Sequence, residues 1–206
     1  MPLILVADPP ASCNRPSVDK VCMVVNQLRG GKAGGVCGIH WEIIKKSGPV
    51  VVLFVWQIIY SIWISDVIPL NWKTAVIVPI KKDKGEHHDC NNYRAVTFFL
   101  VPSKVFAKVI LNVVQNYLFA SQQPEQSVFT PKKSTTNKIL VFCVLIECKQ
   151  GCWQELLTAF TDLHKAFDSG DRNVLWRILE LQGIPLLQVG LMVALYTGTV
   201  SAGLNV

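Results

Sequence analysis

The sequence predicts a mixed α+β fold in which helices outnumber strands. Three observations carry that reading. Half of the 206 residues are apolar and only 17% are charged, a balance that suits a packed globular chain rather than a disordered one. Apolar residues recur at helical spacing in several stretches. Two β-branched runs, Thr74–Ile80 and Tyr93–Leu100, bracket a charged turn and read as a hairpin. The order is helices, hairpin, helices, strand, helices. That is α+β, not the regular alternation of a parallel α/β sheet. The length allows one sizeable core or two small ones.

The elements follow in order. Pro9, Pro10 and Pro16 make residues 1–15 irregular. Ser17 and Asp19 open a helix through Arg29, with Val21, Val24, Val25 and Leu28 on one face. Gly30, Gly31, Gly34 and Gly35 end it in a loop. That loop has no GxxxxGK[ST] frame and no strand before it, so it is not a P-loop. A short helix covers Trp41–Lys46, and a long apolar one follows Pro49. Thr74–Ile80 is a strand with Pro79 at its end or edge, and Tyr93–Leu100 is the returning strand. Ser103–Phe119 is a helix with Val105, Phe106, Val109, Ile110, Val113 and Val114 on one broad face. Ser121–Lys133 is loop, and Ser134 stands near the cap of a helix through Glu147. Glu155–Asp162 reads as a strand whose alternation puts Thr158, Phe160 and Asp162 on one face. Asp171 caps a helix over Arg172–Gln182, which Gly183 and Pro185 stop. A last helix covers Leu186–Tyr196.

Charge is unevenly spread. Between Trp72 and Gln150 stand eleven Lys and Arg against five Asp and Glu; residues 151–206 carry three against five. The basic middle suits a phosphate backbone, and equally a solvated surface. Seven cysteines, an odd number with no CxxC, argue against a disulfide framework or zinc ribbon and for reduced thiols in the cytoplasm or nucleus. His87, His88 and Cys90 lie together in a polar loop without a second ligand pair, which reads as solvated loop rather than metal site. Met1–Val6 is too short for a signal core and has no basic residue before it. Pro49–Ser65 is uncharged and nearly long enough to span a bilayer. Gln57 interrupts it, and Asp66 and Pro69 close it, so a core helix is the preferred reading over a membrane anchor.

Seven segments stand out along the chain. They are GGKAGGVCGI at Gly30–Ile39, WKTAVIVPIKKDKGEHHDCNNYRAVTFF at Trp72–Phe99, PSKVFAKVILNVVQNYL at Pro102–Leu118, PEQSVFTPKKSTTNKI at Pro124–Ile139, FTDLHKAFDS at Phe160–Ser169, RNVLWRILELQGIP at Arg172–Pro185 and ALYTGTVSA at Ala194–Ala202. In content and order they resemble the reverse transcriptases of LINE-type (non-LTR) retrotransposons. Each fragment alone is a weak match; order and spacing together make the resemblance specific. It spans about residue 16 to the C-terminus. It implies the fingers (about 16–150) and the start of the palm (about 151–206) of a right-hand polymerase, with Thr74–Leu100 as the fingers hairpin and Glu155–Asp162 as the first palm strand.

The resemblance also implies roles. An RNA-directed DNA polymerase uses an RNA template, a DNA primer, deoxynucleoside triphosphates and two Mg²⁺ ions that stabilise the attacking and leaving oxygens. Asp162 matches the first catalytic and metal-binding aspartate, and Leu163 would lend a backbone carbonyl. Without the resemblance Asp162 reads as a strand-end or capping residue. Phe167 matches the steric gate against a ribose 2′-hydroxyl and reads also as a core aromatic; Asp168 reads as structural. Arg94 matches the residue that grips the triphosphate, chemistry a guanidinium suits. Lys81, Lys82 and Lys84 would meet backbone phosphate, or simply solvate the turn. The sequence departs from the family pattern at Cys37, Val128, Thr130, Lys132 and Asn137, and where an arginine is expected near Gly203 or Leu204. The template-gripping and paired-aspartate motifs would fall after Val206. One aspartate cannot hold two ions productively, so these residues alone are expected not to polymerise. The alternative is a nonenzymatic nucleic-acid binder using the basic fingers.

Overall fold

The computed structural model describes residues 15–31, 34–35, 37–83, 85–163 and 166–203. The fold is mixed α+β. The helices are α1 (Val18–Gln27), α2 (Trp41–Lys46), α3 (Pro49–Ser65), α4 (Val101–Ser121), α5 (Thr135–Gly151), α6 (Ala166–Ser169), α7 (Arg172–Leu181) and α8 (Leu186–Tyr196). The strands are β1 (Thr74–Lys81), β2 (Tyr93–Phe99) and β3 (Val200–Gly203).

Local chemistry sets most boundaries. Ser17 Oγ accepts from the Lys20 amide at 3.3 Å and starts α1, as a side-chain oxygen does for one of the orphan amides of a helix start. Ser134 does the same for α5, and Asp171 Oδ1 accepts from Asn173 N at 2.8 Å at the start of α7. Pro49 sits in the first turn of α3, where its missing amide costs nothing. Asp66, in the left-handed region at φ 56°, closes that helix. Gly183, at φ 81°, turns the chain after α7.

The core is helical. Val21, Val24 and Val25 of α1, Ile59 and Ile62 of α3, and Val105, Phe106 and Val109 of α4 form one buried cluster, which Val189 and Leu191 of α8 extend. Each such side chain contributes roughly 1.5–3 kcal/mol by leaving water. The Trp72 ring stands 6.1 Å from that of Phe106 and plugs the end of the cluster. Trp56 Nε1 donates to the Pro16 carbonyl at 2.8 Å and ties the chain before α1 to α3. Of the residues in β1 and β2, only Ala75 is buried, so the sheet is a ledge on a helical body.

The sheet order is β2-β1-β3. β1 and β2 are antiparallel, with Ile80 opposite Arg94 and Ala75 opposite Phe99. β3 runs parallel to β1, Thr74 opposite Val200. The hairpin lies where the sequence places it; β3 was not anticipated, because the run Val200–Gly203 is too short to declare itself.

The expected strand at Glu155–Asp162 does not form. Residues 154–163 are irregular and exposed. A strand needs a ladder partner, and both edges of β1 are already taken, by β2 and β3. The predicted shared face of Thr158, Phe160 and Asp162 is therefore not made; instead the Phe160 ring meets that of Phe142 on α5 edge-on at 5.9 Å. Helix α5 forms as expected but buries none of its residues.

The apolar helix α3 is a core helix on one side only. Val52, Val55, Ile59 and Ile62 are buried, while Val50, Phe54, Ile58 and Ile64 are exposed. Among the described residues, no helix is long and apolar enough to cross a membrane.

Candidate nucleic-acid interface

The hairpin turn is built by its own polar side chains. The Lys82 amide donates to the Asn92 carbonyl at 2.7 Å, continuing the ladder past the end of β1. Asn92 Nδ2 donates to the Glu86 carbonyl at 3.0 Å, and the Tyr93 hydroxyl to the His87 carbonyl at 3.0 Å. Asp89 Oδ1 accepts from the Asn91 amide at 2.9 Å and starts the turn of Cys90–Asn92.

Two of the hairpin lysines belong to this framework. Lys82 Nζ donates to the Asn91 carbonyl at 2.7 Å. Lys81 Nζ lies 2.8 Å from His87 Nε2; an ammonium has only donors, so the imidazole nitrogen accepts. Both lysines are half-buried, and a phosphate would have to draw them from these bonds. Lys84 lies outside the described residues.

Arg94 is different. It is exposed on β2, and among the described residues it makes no hydrogen bond or ion pair. The ladder holds its backbone opposite Ile80, so the guanidinium projects from a fixed base. It shares a face of β2 with Val96 and Phe98, since side chains on a strand alternate.

The loop that opens the family resemblance docks on the far end of the same strand. Gly35 is at φ +79°, and a Cβ there would stand 2.7 Å from the Phe99 carbonyl oxygen. Only glycine fits that approach. At the loop's start, Glu42 Oε1 accepts from the Gly31 amide at 2.8 Å. That backbone hydrogen bond, first among its causes, holds the Glu42 carboxyl below its ordinary range.

The residues matched to catalysis are exposed and stand on no strand. Asp162 and Leu163 are exposed in the irregular stretch after α5. Phe167 is 87% exposed on the single turn of α6, so its reading as a core aromatic is wrong. Among the described residues no hydrogen bond or ion pair joins Asp162 to Arg94, and no group of three or more His, Cys, Asp or Glu could hold a metal ion. Asp162 and a neighbouring carbonyl fall short of the oxygen ligands a divalent ion takes. The described residues do not fit the Mg²⁺ pair that the resemblance implies, and no step is derived through it.

No family model matches this chain.

One further feature is lined by residues of α1 and α4 and by none of the hairpin. A hollow of about 620 Å³ lies between α1 and α4, with Lys20 on one wall and Lys108 on the other. Its signal was present, since Lys20, Met23, Val24 and Gln27 stand at helical spacing. The same helical spacing also sets the core face of α1, Val21, Val24 and Val25.

Proposed function

We propose that this chain is the fingers and the start of the palm of a LINE-type reverse transcriptase by descent, and that residues 1–206 act through their grip on nucleic acid rather than by polymerising. The observation that carries the reading is Arg94: an exposed guanidinium without a partner among the described residues, on a strand whose register is set, at the position where the resemblance puts a phosphate contact. Supporting it are the ordered fragments from Gly30 to Ala202 and the hairpin at the place the resemblance requires. The substrate class is an RNA template paired with a DNA primer, with a deoxynucleoside triphosphate meeting Arg94.

Catalysis by these residues alone is not expected. Asp162 is exposed in an irregular stretch rather than held at the end of a strand, and losing members of a catalytic unit abolishes nearly all of its effect. Primer extension on an RNA template should not exceed that of the Asp162→Ala variant; extension above it would show a working active site. Binding of a labelled primer–template should weaken as salt rises. Arg94→Ala should weaken it further and lower the slope of log affinity against log salt by about one. An unchanged slope would remove Arg94 from the interface.

A further inference from the structure

Helix α3 carries no charged residue, and the fold buries only one side of it. Val52, Val55, Ile59 and Ile62 face the core. On the opposite side Val50, Phe54, Gln57, Ser61 and Ile64 recur alternately four and three residues apart, and all five are exposed. That is the spacing of a seam along which a second helix lies. Phe54 is 60% exposed and Val50 59%. Large apolar side chains left in water forgo what their burial would contribute, and a contiguous patch of them marks an interaction surface. Helix α5 is exposed too, but it buries none of its residues, so nothing there distinguishes an inner from an outer side.

The stripe is complementary to itself. Gln57 stands at its middle, with Val50 seven residues before it and Ile64 seven after. Two copies laid antiparallel about an axis at Gln57 bring Val50 of each against Ile64 of the other. The same arrangement sets the Phe54 ring of each beside Ser61 of the other, whose small side chain leaves room for it. The Gln57 side chain makes no hydrogen bond among the described residues. A carboxamide both donates and accepts, so two of them satisfy each other, and one polar residue in such a seam fixes its register. Charge agrees. The stripe brings no like charges together. Lys46 precedes α3 and Asp66 closes it, both exposed and neither in an ion pair among the described residues. An antiparallel pair sets Lys46 of one copy near Asp66 of the other and opposes the two helix dipoles; a parallel pair does neither. With Leu53 and Ile58 on its flanks the face exposes roughly 600–700 Å² on each copy, a little below the about 800 Å² a side of a standard interface. That area suits a reversible dimer.

We propose that this chain forms a two-fold dimer through the outer face of α3, the two helices antiparallel and Gln57 on the axis. The interface shares no residue with the hairpin or with Arg94, so it stands or falls apart from the grip on nucleic acid.

The test is sedimentation equilibrium of the full 206-residue chain over about 1–200 μM, the range in which an interface of this size associates. The mass should rise with concentration from 22.9 kDa toward twice that value. Phe54→Glu should weaken association by about tenfold or more, with the thermal melt unchanged because the side chain is exposed. Ile64→Lys should do the same and serves if Phe54→Glu does not fold. Ser61→Lys should also weaken it. Mixed in equal amounts, the Phe54→Glu and Ser61→Lys chains should associate again, because the introduced carboxylate and ammonium meet across the axis while the second Phe54–Ser61 contact is intact. Ile139→Glu, at an equally exposed apolar position on α5, should leave the dimer unchanged. The proposal is overturned if the mass stays at that of one chain, or if folded Phe54→Glu and Ile64→Lys still dimerise. It is also overturned if Ile139→Glu abolishes the dimer, or if the mixture associates no better than either variant alone. A monomer that binds phosphatidylcholine vesicles would overturn it too and assign the face to a lipid surface.

Discussion

Replacing Gln188 with methionine should make this protein more stable. Gln188 sits near the start of α8 and is 0% exposed. Its backbone amide is satisfied by the Pro185 carbonyl at 3.0 Å, but side-chain Oε1 and Nε2 are both buried without a hydrogen-bond partner. Its sequence neighbour Val189 and the nearby Leu191 belong to the apolar cluster. A buried polar group left unpaired costs about 1–3 kcal/mol. Methionine has the same unbranched length and nearly the same helix propensity, and a volume-conserving swap costs under about 1.5 kcal/mol. The sum favours the variant by roughly 1–2 kcal/mol, taking the middle of both ranges. For a chain of this size that raises the melting temperature by about 2–8 °C. Urea denaturation followed by far-ultraviolet circular dichroism is the assay: the midpoint should rise and the slope m stay the same. Gln188→Ala is the control, because it removes the amide but leaves a cavity and should not stabilise. A fall in midpoint for Gln188→Met would show that the amide is satisfied in solution, and the reasoning would fail.

Phe106→Ala should cost about 3–5 kcal/mol, because the ring is fully buried on α4 and meets Trp72; a loss under about 1 kcal/mol by the same denaturation would place the core elsewhere. Glu42 makes stability depend on pH. Its folded pKa is lowered, chiefly by the Gly31 amide, so its contribution is present above the ordinary carboxylate pKa of about 4.3 and is lost as pH falls through the folded value. The wild type should therefore lose more stability than Glu42→Gln between neutral and acid pH, and parallel curves would refute the bond. Gly35→Ala should destabilise by more than about 1–2 kcal/mol, since it adds backbone strain in the left-handed region to a clash with the Phe99 carbonyl. A midpoint matching the wild type would show that the loop is not docked on β2.

Much of this fold is legible in the sequence because its causes are local. Ser17, Ser134 and Asp171 cap the helices they were expected to start, since a cap is a bond between residues two or three apart. The stripe from Val105 to Val114 on α4 faces the core because helical period alone puts those residues on one side. The hairpin is legible for the same reason: its two runs and the turn between them are contiguous. Arg94 is singled out by resemblance, and the ladder sets its place on β2, exposed and opposite Ile80.

What the sequence could not decide is pairing across distance. Glu155–Asp162 and Val200–Gly203 both have residues that tolerate extended backbone, yet only the second becomes a strand. The choice rests on which segment reaches the free edge of β1, and that is set by how α7 and α8 carry the chain back over α4. No local propensity records such a return. The state of Asp162 follows from it, since an aspartate at the end of a paired strand is held in place and one in an exposed irregular stretch is not. Burial of Gln188 and the meeting of Lys20 with Lys108 across one hollow are decided the same way. Spacing along a helix fixes which residues share a face, but only the packing of one helix on another decides whether that face meets core, solvent or an open groove.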